Sequence, residues 1–154
     1  MIVALTNREM IQAGLAGVLR SVESIHHGFR GQKRAEGYEM LWQRDIEGAL
    51  GELAFAKAMD RHWTGNERLK ARDVGEWEVR TSSLPLASLI IRSHDRDEQK
   101  FALVVGSDAT YTVCGWFLAG EAKDHKEWLY DPGHRKAPAW WVPQSELHSM
   151  KETP

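Results

Sequence analysis

At 154 residues, with 42% hydrophobic and 27% charged side chains and a net charge of −2, the chain is long enough to bury one real core and short for two. No run approaches the roughly 18–20 apolar residues of a membrane span, and the charge balance excludes a globally basic polyanion binder, leaving local patches only. A single cysteine, Cys114, excludes an internal disulfide and a cysteine-built zinc site, and the N-terminus lacks the features of a leader, so a soluble, cytoplasmic protein without a membrane partner is expected.

In chain order, "TNRE" predicts a helix start: Thr6 caps the free amides and Glu9, three residues on, bonds back. The helix that follows carries Ile11, Leu15, Val18, Val22 and Ile25 at spacings of three and four, an apolar stripe expected to pack inward. "HHGFRGQKRAEG" reads as a glycine-punctuated basic loop, and residues 1–35 hold Arg8, Arg20, Arg30, Lys33 and Arg34 against Glu9 and Glu23. Arg30, Lys33 and Arg34 are candidates for gripping a phosphate backbone, with a solvated loop as the plainer reading. From about Tyr38 a longer helix runs through "YEMLWQRDIEGALGELAFAKAMDRHW", with Trp42, Ile46, Ala49, Leu53 and Ala56 on its buried side. Gly48 and Gly51 inside it each cost roughly 1 kcal/mol against alanine, so close approach of another backbone is expected there.

After "TGNERLKA" the period becomes alternating. Trp77, Val79 and Thr81 fall on one face of a strand, Glu76, Glu78 and Arg80 on the other. "LASLIIRS", "FALVVGS" and "YTVCGWFLAG" follow as further strands, then a loop, a short strand at Trp140 to Val142 and a helical turn opened by Pro143 to Ser145. Cys114 is expected to pack as a small apolar residue. The fold class read from this order is α+β: a central mixed sheet of about four to five strands backed by N-terminal helices, in one domain over 1–154. Within it, 1–37 is the N-terminal helix and basic loop, 38–118 the core, and 119–154 a C-terminal extension.

Three further features offer chemistry. His94, Asp95 and His134 read as exposed loop residues, because no serine or cysteine elbow accompanies them. Of the seven tryptophans, Trp116, Trp128, Trp140 and Trp141 are candidates for base stacking, although core packing is the stronger reading; one of Trp140 and Trp141 should be exposed. Thr81 and Ser82 are candidate phosphate contacts, with turn formation as the plainer role of the serine.

The informative stretch is "DVGEWEVRTSS". A helix bearing "GALGE", an aspartate before a turn at Gly75, and a strand with Glu78-Val79-Arg80 resemble the PD-(D/E)XK, or restriction-endonuclease-like, nuclease superfamily. The resemblance implies Glu52 as the helical glutamate, Asp73 and Glu78 as the pair holding Mg²⁺ (Mn²⁺ as a substitute), and the Val79 carbonyl as a further ligand. It implies DNA as partner, phosphodiester hydrolysis as reaction, and a homodimer as one arrangement that reaches both strands; a phage or other mobile element is a source consistent with the small form. Arg80 stands where the family carries lysine; an arginine cannot give up its proton but can steady charge on a phosphate. The alternative is a catalytically inactive nuclease-like module that binds nucleic acid or protein. Glu47 lies about 140° around the helix from Glu52, so only one of them can face the site.

Overall fold

The expected cap forms at the first helix. Thr6 N–H and Oγ1 donate to Glu9 Oε2 at 2.6 and 2.8 Å, and Glu9 N–H donates back to Thr6 Oγ1 at 3.3 Å, which satisfies amides the helix itself leaves free. The computed structural model describes residues 1–26, 38–65, 72–131, 133 and 137–152. Its elements are β1 (Ile2–Ala4), α1 (Asn7–His26), α2 (Tyr38–Ala58), β2 (Trp77–Ser82), β3 (Leu89–Arg92), β4 (Lys100–Ser107), β5 (Thr110–Leu118), α3 (Ala119–Asp124), β6 (Leu129–Tyr130) and β7 (Ala139–Val142). Short 3-10 turns occupy Lys126–Trp128, Gln144–Glu146 and Met150–Glu152.

Glu9 also accepts from Lys57 Nζ at 2.8 Å, and the same ammonium donates to the Ala4 carbonyl at 2.9 Å, joining β1, α1 and the end of α2. The Lys57 hydrogen bond, helped by Thr6, holds the Glu9 carboxyl down to about 2. Because that value is depressed in the fold, its contribution is present above the ordinary carboxylate range and disappears as pH falls through about 2. Glu9→Ala is expected to lower stability by about 1 kcal/mol at neutral pH. Urea unfolding at neutral pH and again in acid checks it: the gap between variant and parent should shrink in acid.

The class is α+β, and a four-stranded mixed sheet is present, ordered β1-β5-β4-β2. β1 and β4 flank β5 antiparallel, whereas β2 lies parallel to β4 with Trp77 opposite Lys100 and Arg80 opposite Leu103. The third strand departs from expectation: β3 leaves this sheet and joins β7 and β6 in a separate antiparallel one, ordered β3-β7-β6. The reason is burial. Leu89, Ile91 and Val142 point inward from the small sheet and pack with Phe101, Leu103 and Phe117 of the large one, so β4 is covered on both faces. On the other face Ala102 and Val104 meet Ala49, Phe55 and Trp77. The layers are thus the helices, the mixed sheet and the small sheet.

α1 also departs from expectation. Its buried face is Ala13, Ala16, Gly17 and Ser21, not the apolar stripe, and Ile11, Leu15, Leu19 and Val22 are exposed. Small residues win the inner position because α2 crosses very closely: a Cβ on Gly17 would lie 2.5 Å from Ile46 Cα. Of the two glycines of α2 expected to admit a close neighbour, Gly51 does so against the Thr81 side chain, while backbone-to-backbone approach is at Gly17. Gly48 has only the tip of Arg20 near it, at 4.0 Å. Trp63, Trp77 and Trp116 belong to the first core cluster, Trp128 and Trp140 pack against the second, and Trp141 is the exposed member of its pair at 45%. Cys114 is half-buried against the second cluster, and burial pushes its thiol up.

Candidate functional site

The turn that opens β2 is built as expected. Val74 and Trp77 exchange both backbone hydrogen bonds, at 3.2 and 3.0 Å, across Gly75 and Glu76. Gly75 has φ +60°, which suits the first central position of a tight hairpin turn and which other residues adopt only under strain. The reversal brings Asp73 back alongside β2, where its Oδ2 accepts the Val79 N–H at 2.7 Å. That bond continues the ladder with a side chain in place of a backbone acceptor. Val79 N–H points away from β4, and in a strand the N–H and C=O of one residue share a side, so the Val79 carbonyl lies on the same open edge.

α2 brings Glu52 to the other side of the strand. Gly51 sits directly over Thr81: a Cβ there would fall 1.9 Å from Thr81 Oγ1, so only glycine lets the helix lie this close. Gly51→Ala is expected to lower stability by about 1–3 kcal/mol through overpacking, with Thr81→Ala in the same chain recovering part of the loss; urea midpoints of the single and double variants measure both. Glu52 itself is only 4% exposed. Arg20 of α1 holds it in a forked pair, Nη1 to Oε1 at 2.5 Å and Nη2 to Oε2 at 2.6 Å, and Trp63 Nε1 donates to Oε2 at 3.1 Å.

Glu78 and Arg80 project on the face opposite Trp77 and Val79, toward the small sheet. Gln99 Nε2 donates to Glu78 Oε1 at 3.1 Å. Arg80 Nη2 donates to both oxygens of Asp95 at 3.2 Å, and its guanidinium lies 4.7 Å from the centre of the Phe101 ring. Asp95 is buried and accepts the Arg92 N–H at 2.7 Å as well, and its backbone carbonyl accepts from Lys123 Nζ. The loop reading of Asp95 is corrected accordingly: His94 is exposed, but Asp95 is the anchor of Arg80.

The electrostatics tie these groups into one site. Asp73 keeps part of its surface open, yet burial, then the charge of Glu52, raise its carboxyl to about 7 against the opposing Val79 hydrogen bond, with Glu78 adding to the rise and Arg80 lowering it. Burial raises Glu78 too, with Arg80 the leading opposing charge. Arg92, at the solvent-facing end of β3, is depressed by the partial burial of its guanidinium and then by the positive charges of Arg80 and Arg44. Acidic side chains thus converge at the β2 edge, and guanidinium groups rim it.

Of the residues expected at the site, Glu52, Asp73, Glu78 and Arg80 act on one another here, and the Val79 backbone is part of the same edge. Thr81 turns its Oγ1 onto Gly51, where it is buried without a partner, and Ser82 Oγ accepts the Leu84 N–H at 3.2 Å at the strand end. Arg30, Lys33 and Arg34, and His134, lie outside the described residues. Arg20, Trp63, Asp95, Gln99 and Arg92 are the partners that the sequence reading left out. Among the described residues no group of three or more His, Cys, Asp or Glu side chains is placed to hold a metal ion. No protein-family model, curated protein or solved structure matches the chain.

Proposed function

We propose that the chain is a metal-dependent nuclease of restriction-endonuclease-like architecture that hydrolyses phosphodiester bonds in DNA. The observation that carries the proposal is the Asp73 carboxyl. It accepts the Val79 amide on the open edge of β2, and burial, then the charges of Glu52 and Glu78, hold its proton to about 7. Three guanidinium groups around it are engaged with other acceptors: Arg20 with Glu52, Arg80 with Asp95 and Arg72 with the Glu76 carbonyl. A hard divalent cation fits the acidic donor set, since Mg²⁺ takes one or two carboxylates and keeps several waters.

Asp73, Glu78 and the Val79 carbonyl are the residues that would hold the ion. When bound, Mg²⁺ supplies polarisation of the phosphoryl oxygen and a bound water that ionises more easily. The chain's own groups do the remaining work. Arg80, fixed by Asp95 and the Phe101 ring, presents a cation whose position does not change during the reaction, where charge builds on the non-bridging phosphate oxygens. Arg92 offers a second guanidinium at the rim for the neighbouring backbone phosphate. Glu52, locked by Arg20 and Trp63, keeps a fixed negative charge beside Asp73 that favours a cation there over an empty pair of carboxylates.

A second reading, binding without cleavage, is favoured by two observations: arginine replaces lysine at position 80, and both Glu52 oxygens are already engaged. Calorimetric titration of Mg²⁺ and Mn²⁺ into the chelator-treated protein, followed by incubation with supercoiled plasmid and with linear single-stranded DNA, separates the two. The nuclease reading expects ion binding and cleavage that stops in chelator. DNA retained in a binding assay with neither heat of ion binding nor cleavage would leave the second reading standing.

A further inference from the structure

The outer face of α1 is an apolar surface with no counterpart among the described residues. Ile11, Leu15, Leu19 and Val22 are 65, 61, 61 and 47% exposed, with Val18 and Ile25 half-buried beside them. Ile11, Leu15, Val18, Val22 and Ile25 follow the alternating four-and-three spacing of a helix-pairing seam, and Leu19 widens it. The opposite face of the same helix already carries the intramolecular contacts, through Ala13, Ala16, Gly17 and Ser21. α1 therefore has two packing faces, of which the described residues fill one.

Gly14 adds an independent observation. It lies inside α1, where glycine is the weakest helix former after proline, and it borders Ile11 and Val18 on the helix surface. A Cβ added there would meet nothing within 4 Å, in contrast with Gly17, where α2 backbone leaves no room. Nothing among the described residues explains the missing side chain at Gly14, whereas a second helix crossing closely over the stripe would.

We infer that the stripe is the interface of a homodimer in which α1 packs antiparallel against α1 of a second copy. Two features select a second copy over another partner. One is charge: the exposed Arg8 and Glu23 lie near opposite ends of the stripe, so a two-fold axis near its middle sets Arg8 of each protomer beside Glu23 of the other. The other is area. The four exposed side chains offer roughly 450 Å² of apolar surface in one patch, and a self-complementary contact doubles it to about 900 Å² before the flanking Val18, Ile25, Arg8 and Glu23 are counted, against the roughly 1,000 Å² that a specific interface has to clear. The surface is independent of the chemistry proposed at Asp73. It lies on the side of α1 away from the residues that pack on α2.

Sedimentation and light scattering over a concentration series test the inference on the full chain. The parent, 17.5 kDa as a monomer, should run at twice that mass and dissociate on dilution. Leu15→Glu with Leu19→Glu should be monomeric throughout, with unchanged far-ultraviolet circular dichroism, because both positions are solvent-exposed in the protomer. Arg8→Glu and Glu23→Arg should each weaken the dimer by several-fold, and the two together should restore it; failure of that rescue overturns the antiparallel self-pairing. Gly14→Leu should weaken it as well. A parent that stays monomeric up to its solubility limit, or a glutamate double variant that dimerises like the parent, overturns the inference outright.

Discussion

Asp73→Asn is expected to abolish the proposed Mg²⁺-dependent cleavage of DNA and to leave a folded protein. The loss is expected to reach at least the ~10³-fold upper end seen when one preorganised electrostatic group is removed from a site. The fold survives because an asparagine Oδ1 can still accept the Val79 N–H that Asp73 takes at 2.7 Å. Stability moves the other way. The Asp73 carboxyl is raised to about 7, chiefly by burial and then by Glu52, and a raised acid destabilises the fold only where it is forced to ionise. That penalty is absent below the ordinary carboxylate range, grows as pH rises, and is complete above about 7. In chelator near pH 8 the asparagine variant should therefore be more stable than the parent, on the order of 2 kcal/mol, with the gain vanishing below about pH 4. Cleavage rates with Mg²⁺ and urea unfolding at the two pH values measure both halves. An asparagine variant that cuts at the parent rate would place the metal site elsewhere.

Arg80→Ala is expected to lose 10²- to 10³-fold in cleavage rate, on the order found when a fixed charge-stabilising group is deleted. It also strips buried Asp95 of its guanidinium, leaving the Arg92 N–H as that side chain's remaining donor, so a drop in stability of about 1–3 kcal/mol should accompany it. Arg80→Lys separates the two effects. An ammonium keeps the positive charge but not the paired contact to both Asp95 oxygens, so much of the rate should be retained while part of the stability is lost. Rates and unfolding midpoints for the parent, lysine and alanine proteins at one pH and one salt concentration distinguish the roles. Equal, measurable rates in all three would remove Arg80 from the chemistry.

What was legible in the sequence was local. The Thr6–Glu9 cap and the Val74–Trp77 turn each span four residues, and the alternation through β2 assigns Glu78 and Arg80 to one face. Each is set by neighbours along the chain, so spacing alone reveals it. The misread features depend on partners far apart in sequence. Hydrophobic spacing on α1 shows that a stripe exists, but not that α2 would claim the small-residue side at Gly17 instead. β3 reads as one more strand, yet its inward residues are sorted into a second sheet by contact with Phe101 and Phe117. The site divides the same way. Glu52, Asp73, Glu78 and Arg80 were found from a motif, while Arg20 reaches Glu52 across 32 positions and Asp95 meets Arg80 across 15. An acid flanked by histidine in a polar turn carries no mark of burial; only the tertiary fold shows that Asp95 is an anchor.

The bond from Val79 to Asp73 has a consequence for how the protein behaves at high concentration. β2 is the terminal strand of the mixed sheet, and a terminal strand exposes backbone groups that can template the addition of a strand from another molecule. Here Val74 takes both hydrogen-bonding groups of Trp77, and Asp73 takes the amide two residues on with a side chain that no incoming strand can extend. The opposite margin, β1, is three residues long. Asp73 is thus a guard against edge-to-edge aggregation as well as a candidate ligand. An alanine at that position, unlike an asparagine, would leave the Val79 amide open to strands from neighbouring molecules.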